Sequence, residues 1–255
     1  MKIAIIGAGN MGGAIARGLA QGSLVAACDL IVSNPSRGKL DVLKAEYPEL
    51  EVTQDNQEAV DRADLLFFAV KPWLMKEVMT GLHIREEQLV ASVAAGIPFE
   101  ELRKWSPAKT LFRVIPNTAI SRLASMTLIA SSGADAGQEA WIKSLFDEMG
   151  LSMLIPESQI PATTALASCG IAYALKYIQA AMQAGVEMGV RPKDAMQMVA
   201  QSLEGAARLI LDTDTHPAVE IDKVTTPGGF TIRGINELEH AGFTSALIRA
   251  MKACL

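Results

Sequence analysis

Three glycines near the start of the chain are spaced to do chemistry. They are Gly7, Gly9 and Gly12 in the run Gly7-Ala8-Gly9-Asn10-Met11-Gly12. Lys2-Ile3-Ala4-Ile5-Ile6 before them is almost wholly apolar, as a buried parallel strand would be, and Gly13 to Ala20 after them reads as a helix. In such a strand–turn–helix the first glycine permits the tight turn. The second lets a pyrophosphate approach the backbone, and the third lets the helix pack on the strand. Free N–H groups and the positive dipole end of the helix then face the phosphates. The expected ligand is a dinucleotide, held by Gly7, Gly9, Asn10, Met11 and Gly12. The alternative is a glycine turn that serves packing alone.

The next residues able to do chemistry lie where the second strand ends. Counting about 20 residues beyond the glycines reaches Asp29, the place of a carboxylate that would bind an NAD ribose. Asp29 precedes Leu30-Ile31-Val32, however, and so stands at the wrong end of that strand. Its C-terminal end reads Ser33-Asn34-Pro35-Ser36-Arg37-Gly38-Lys39, with hydroxyls, an amide and two cations but no carboxylate. Arg37 can pair bidentately with a 2′-phosphate. NADPH is therefore expected to be preferred over NADH, with Ser33, Asn34, Ser36 and Arg37 in contact. The alternative for Arg37 and Lys39 is a solvated helix start. Later strand ends complete the crevice: Ala69-Val70-Lys71-Pro72, Ala94-Ala95-Gly96, and Asn56 on the same edge.

Positioning these residues takes a sheet. Strands are predicted at 2–6, 30–34, 50–53, 64–70, 89–95, 111–115, 126–131 and 151–155. Helices are predicted at 10–22, 36–46, 56–62, 73–81, 98–104 and 136–149, with Asp55 as an N-cap and Gly150 as the residue that ends the last of them. This alternation predicts an α/β, doubly wound, parallel Rossmann-type domain over 1–156. Beyond Pro156 the pattern turns all-helical, with helices expected at 158–189, 192–212 and 231–253 in a domain spanning 157–255.

Composition narrows the function. The 255 residues carry a net charge of −5, which gives no electrostatic footprint for nucleic acid. Cys28, Cys169 and Cys254 fall in no metal spacing, so no metal site is expected, and they suit a reducing cytoplasm better than a disulfide framework. A leader peptide is not expected at the N-terminus, because Asn10 and Arg17 interrupt the apolar run. The apolar stretch Ala165 to Val190 carries Lys176, Gln179, Gln183 and Glu187, and reads as the core of an oligomer rather than a membrane span.

The order of motifs resembles the pyrroline-5-carboxylate reductase family along essentially the whole chain. The carriers are the N-terminal Gly7 to Gly12, Asn56, Ala69 to Pro72, Ala94-Ala95-Gly96-Ile97, and Arg113 with Pro116-Asn117-Thr118. The most specific is Val224-Thr225-Thr226-Pro227-Gly228-Gly229-Phe230-Thr231, followed by Gly234-Ile235 and Leu238-Glu239. Two departures stand out. Ser168-Cys169-Gly170-Ile171-Ala172-Tyr173 replaces the family's Gly-Ser-Gly-Pro-Ala-Tyr, and Glu220 replaces an aliphatic residue. The resemblance implies hydride transfer from NAD(P)H to the C=N carbon of 1-pyrroline-5-carboxylate, giving L-proline. It implies that Thr225, Thr226, Pro227, Gly228 and Gly229 hold the substrate carboxylate, and that Thr231 lies close to the imine nitrogen, as a catalytic donor or as a helix cap. It also implies a homodimer or larger homo-oligomer built on the helical domain, with active sites between one subunit's cofactor domain and helices of either subunit.

Two rival readings use the same glycine motif. A β-hydroxyacid dehydrogenase needs a lysine base on the long helix, where this chain has Ala174. A nucleotide sensor without turnover would have no use for the intact Thr226-Pro227-Gly228-Gly229-Phe230-Thr231 segment. No histidine offers a convincing acid: His83 falls in a loop, His216 in a turn, and His240 on an amphipathic helix.

Overall fold

The computed structural model describes residues 1–255 and divides into two compact units, Met1–Ser168 and Cys169–Leu255. The first unit holds eight strands: β1 (Ile3–Ile6), β2 (Leu30–Ser33), β3 (Glu51–Thr53), β4 (Leu65–Phe68), β5 (Leu89–Ser92), β6 (Thr110–Ile115), β7 (Ser125–Ser132) and β8 (Gly150–Leu154). They form one sheet in the order β3-β2-β1-β4-β5-β6-β7-β8. The helices of this unit are α1 (Asn10–Gln21), α2 (Arg37–Glu46), α3 (Asn56–Asp61), α4 (Met75–Thr80), α5 (Phe99–Trp105), α6 (Ala136–Asp147) and α7 (Ile160–Thr164).

Strands this apolar must be covered on both faces. Alternate residues do so: Ile3, Ile5, Val32 and Phe67 pack with Ile15, Leu19, Leu40 and Phe146 on one side. Ala4, Ile6, Leu66 and Phe68 pack with Val60, Met75, Met79 and Leu102 on the other. The expected N-cap of α3 forms. Asp55 accepts the backbone N–H groups of Gln57 and Glu58 and starts α3, and Asp135 with Gln138 forms a capping box on α6.

The sheet is not wholly parallel. β7 runs antiparallel to β6, with Arg113 opposite Ala130. Only a short 3₁₀ segment, Thr118–Arg122, joins the two strands, and a parallel return needs a crossover of about a dozen residues. α6 supplies such a crossover between β7 and β8, which are parallel. Gly150 does not end α6. It opens β8 with φ of 138°, and a Cβ there would lie 2.2 Å from the Ser125 carbonyl oxygen.

The second unit contains α8 (Gly170–Glu187), α9 (Pro192–Thr213), α10 (Pro217–Val224), α11 (Phe230–His240) and α12 (Phe243–Lys252). Three sequence expectations change here. The helix expected over 158–189 is broken by a π turn at Ala165–Cys169. α10 is a separate helix, opened by His216, whose Nδ1 accepts the Ala218 N–H. The helix expected over 231–253 stops at Ala241 and restarts after Gly242. The substituted Glu220 lies in α10 and accepts from Thr215 Oγ1 at 2.6 Å and Lys223 Nζ at 2.7 Å.

Candidate functional site

The chain continues hydrogen bonding past the strand ends, and this gathers the loops along one edge of the sheet. Gly7 N donates to Ser33 O at 2.8 Å, Ala69 N to Ile6 O at 2.9 Å, Val93 N to Phe68 O at 3.1 Å and Asn34 N to Thr53 O at 3.2 Å. The glycine turn, Ser33-Asn34, Ala69-Val70 and Val93-Ala94 therefore share the carboxyl edge. They flank the point where β1 lies between β2 and β4 and the strand order reverses, the ligand crevice of open α/β sheets.

Within the turn, Gly7 has φ of 104°, and a Cβ on Gly12 would lie 1.9 Å from the Gly7 carbonyl oxygen. The chain alone demands both glycines. Gly9 is different: a Cβ there would meet nothing within 4 Å. It is the N-cap of α1 and gives no side-chain cap, so the first N–H groups of a 12-residue helix stay unpaired beside open space. That is the shape a pyrophosphate fills. Beside it, a cleft of about 240 Å³ is lined by Ala8, Gly9, Asn10, Gly13, Arg17, Gly38, Lys39, Val42 and Leu43. Arg17 is a cation that sequence reasoning passed over as a mere interruption of the apolar run. Its Nε bonds Glu46 Oε2 at 2.5 Å. This bond holds the Glu46 carboxyl below the usual carboxylate range and raises the Arg17 guanidinium further.

The expected ribose contacts divide by geometry. Ser33 is fully buried, and its hydroxyl donates to Asn56 Oδ1 at 2.8 Å. Asn34 Oδ1 accepts from Ala8 N at 3.1 Å, while its Nδ2 donates to Ser36 O and Oγ, each at 2.9 Å. The side chains of Ser33, Asn34 and Asn56 thus tie strand ends together. Ser36 is the N-cap of α2, and Arg37 follows with its side chain 73% exposed, 3.3 Å from Asp41.

Ala69 and Val70 close on Gly7, whose Cβ would touch the Ala69 oxygen. Lys71 turns outward, with Nζ 5.9 Å from the Trp73 ring centre. Trp73 is 76% exposed on this edge and was missed by sequence reasoning; its position directly after a strand-end loop was the available signal. Ala94 is buried, whereas Ala95 and Gly96 are exposed.

In the second unit, Thr226 to Gly229 forms a turn in which Gly229 N donates to Thr226 O at 3.0 Å. Gly228 has φ of 70°, and Gly229 is the N-cap of α11 without a side-chain cap. Thr231 is thus the second residue of the helix, not its cap, and it is exposed. The first N–H groups of α11, the exposed Thr226 and Pro227 converge on the same turn. Thr225 differs, because its hydroxyl donates to Ile221 O and Asp222 O at the end of α10. Arg233, also missed, bonds Gly229 O through Nε at 3.2 Å and stacks 5.1 Å over Phe230. The three histidines are exposed, and none lines the glycine cleft or this turn.

The helical unit has almost no core of its own. Ala195 is its one buried residue, packed against Gly185, while Leu175, Met198, Leu211, Val224, Phe230 and Ile248 are exposed. An apolar surface of this extent needs a partner.

A glycine cradle at the switch point of this sheet, followed by a helical unit with uncovered apolar sides, defines a dinucleotide-binding α/β protein that self-associates. Comparison with known proteins makes the class specific. Residues 157–255 match the family described as pyrroline-5-carboxylate reductase dimerisation, and residues 2–96 match NADP oxidoreductase coenzyme F420-dependent. Pyrroline-5-carboxylate reductase 1 of Dictyostelium discoideum is 35% identical over 98% of the chain, which spans about half (48%) of that longer relative. Pyrroline-5-carboxylate reductase of Synechocystis is 35% identical over 99% of the chain and 95% of its own length. The solved structure of a pyrroline-5-carboxylate reductase from Coxiella burnetii superposes with a TM-score of 0.90 at 31% identity, covering 99% and 95% of the two chains. The chain belongs to the pyrroline-5-carboxylate reductase family. It is an oxidoreductase that uses a nicotinamide cofactor, and its helical region is a dimerisation domain.

Proposed function

We propose that this chain reduces the C=N bond of 1-pyrroline-5-carboxylate to give L-proline, with NADPH preferred over NADH. The observation that carries this reading is the Thr226–Gly229 turn at the head of α11. Its uncapped N–H groups are of the kind that can hold a small carboxylate, and it stands in the chain segment most specific to the resemblance.

When bound, the reduced nicotinamide supplies the hydride. The chain's own residues do the rest. The N–H groups at the start of α1 hold the pyrophosphate, with Gly9 leaving room for it. The half of the sheet built on β1, β2 and β3 takes the adenosine side, and the loops after β4 and β5, Ala69–Pro72 and Ala94–Gly96, take the nicotinamide side. Asn56, Ser33 and Asn34 fix the backbone that the adenosine ribose meets.

The NADPH preference rests on Arg37. A cation in the first turn of a helix opposes the helix dipole, so Arg37 and Lys39 are poorly placed to stabilise α2. They are well placed to receive a 2′-phosphate.

The Thr226–Gly229 turn binds the substrate carboxylate through the Thr226 hydroxyl, the Gly228 N–H and the uncapped first N–H groups of α11, since Gly229 N is bonded to Thr226 O and Pro227 has no N–H. Thr225 orders the end of α10 before that turn. Thr231, free of any capping duty, donates its hydroxyl to the imine nitrogen. Rate enhancement is mainly proximity, with the two reactants held face to face.

The homo-oligomer is a dimer or a multiple of one. No helix is long and apolar enough to cross a membrane, and three free cysteines suit a reducing compartment such as the cytoplasm. Assaying the purified chain with pyrroline-5-carboxylate and each nicotinamide tests the reading directly. Absence of proline would overturn it.

A further inference from the structure

Arg113 is a charged residue in the middle of a sheet, only 7% exposed. It stands on β6 opposite Ser92, the last residue of β5. Its Nη1 meets Glu157 Oε1 at 2.7 Å. The same carboxylate oxygen accepts the backbone N–H of Phe99 at 2.8 Å. Phe99 is the first residue of α5, and the Val93–Pro98 segment before it contains the Ala94–Gly96 loop. One oxygen therefore ties together β6, the far end of that loop and the segment that follows β8.

The near end of the loop is fixed independently. Ala94 N donates to Ser92 Oγ at 3.3 Å, and Val93 N to Phe68 O at 3.1 Å. Between these two anchors Ala95 and Gly96 are exposed, and Gly96 takes φ of 77°. A short loop pinned at both ends holds one conformation. A buried arginine needs a charge partner, and Glu157 is that partner. The pairing places the carboxylate where Phe99 N can reach it.

We propose that Glu157, set in place by Arg113, is a positioning residue for the reaction: it pins the Ala94–Gly96 loop and thereby the nicotinamide half of the cofactor. The inference rests on the reading above that this loop serves the nicotinamide side. Its consequence is selective. Loosening the far anchor weakens contacts to the nicotinamide half and leaves the adenosine half, held by β1 and β2, unaffected.

The experiment compares the affinities of the full-length oligomer for NADPH and for 2′-phospho-ADP-ribose, the same molecule without nicotinamide. Glu157→Gln keeps an acceptor for Phe99 N and loses the ion pair. Glu157→Ala loses both. NADPH affinity is expected to fall about threefold in the first and tenfold or more in the second, with kcat reduced alongside, while the fragment binds unchanged. Amide hydrogen exchange at Phe99 should quicken in the same order, and it gives a readout in Glu157→Gln should Glu157→Ala not fold. Equal loss for both ligands, or loss for neither, overturns the proposal.

Gly96→Ala separates this proposal from the reading beneath it. A side chain at that positive φ strains the loop directly, so NADPH should weaken and the fragment should not. If Gly96→Ala leaves both affinities intact, the loop does not serve the nicotinamide and the inference falls with that reading. If Gly96→Ala has its effect and the Glu157 variants have none, the inference alone is wrong.

Discussion

Asn34 Oδ1 accepts the backbone N–H of Ala8 at 3.1 Å, so the end of the second strand holds the glycine turn at the end of the first. The asparagine is buried, and its amide nitrogen is anchored on Ser36. On the proposed reading, this bond shapes the part of the crevice that NADPH and NADH share. Asn34→Ala leaves the Ala8 N–H without that partner, at a cost of about 1–3 kcal/mol. Both cofactors should therefore lose affinity by a similar factor, roughly tenfold. Isothermal titration with each of them measures it, and a loss confined to NADPH would contradict a shared scaffold role.

Arg37 has the opposite signature. It is exposed and bound within the chain only to Asp41, one helical turn away. Its proposed target exists in one cofactor alone. Losing a charge-assisted contact costs about 1.5–3 kcal/mol, so Arg37→Ala should weaken NADPH on the order of tenfold or more. NADH should be nearly unaffected. Equal kcat/KM losses for the two would remove Arg37 from the 2′-phosphate site.

Thr231 has lost one of its two possible duties. With Gly229 at the N-cap of α11, the hydroxyl of an exposed second-position threonine contributes little to the helix. Thr231→Ala should move stability by no more than about 0.5 kcal/mol. It should cut kcat/KM for pyrroline-5-carboxylate by roughly 10–100-fold, at or below the low end of the about 10²–10⁴-fold of a positioned proton donor because water partly replaces the hydroxyl. Thr231→Ser should retain most activity, and both variants should bind NADPH normally. Near-unchanged kcat/KM in a folded Thr231→Ala oligomer would mean that hydride transfer relies on positioning alone.

Assembly should map onto the second unit. The full chain should be at least a dimer at micromolar concentration, because Ala195 alone is buried among residues 169–255. A chain ending at Ser168 keeps the Arg113–Glu157 pair and the bond from Asn117 Nδ2 to Ala167 O. It should be a folded monomer that binds nucleotide. A chain ending at Pro156 strands Arg113 and should be less stable by about 3–5 kcal/mol. Light scattering that finds an active monomer of the full chain would refute this account of the helical unit.

Much of the fold was legible in the residues, because local pattern and tertiary need agree there. Each of the eight apolar runs is a strand, and Asp55 caps its helix as its type requires. The reversal of β7 was not legible. It depends on the length of the 3₁₀ connection, whereas the apolar pattern of a buried strand is the same in either direction. The π turn at Ala165–Cys169 left no mark in a uniformly apolar run. At the site, sequence named the backbone cradles, since glycine and proline report backbone shape directly. It names Ser33 and Asn34 by residue type, which does not show that their side chains bond to Asn56, Ala8 and Ser36 within the chain. Trp73, Arg17 and Arg233 escaped for the same reason.

The measurement that bears most directly on the central claim follows the hydride itself. NADPH carrying deuterium at the transferable position is incubated with pyrroline-5-carboxylate and the purified oligomer, and the product is read by mass spectrometry and NMR. The expected product is L-proline with one deuterium on the ring carbon that was doubly bonded to nitrogen, formed faster from NADPH than from NADH. Oxidation of NADPH without labelled proline, or no turnover by an intact oligomer that binds NADPH, would contradict it.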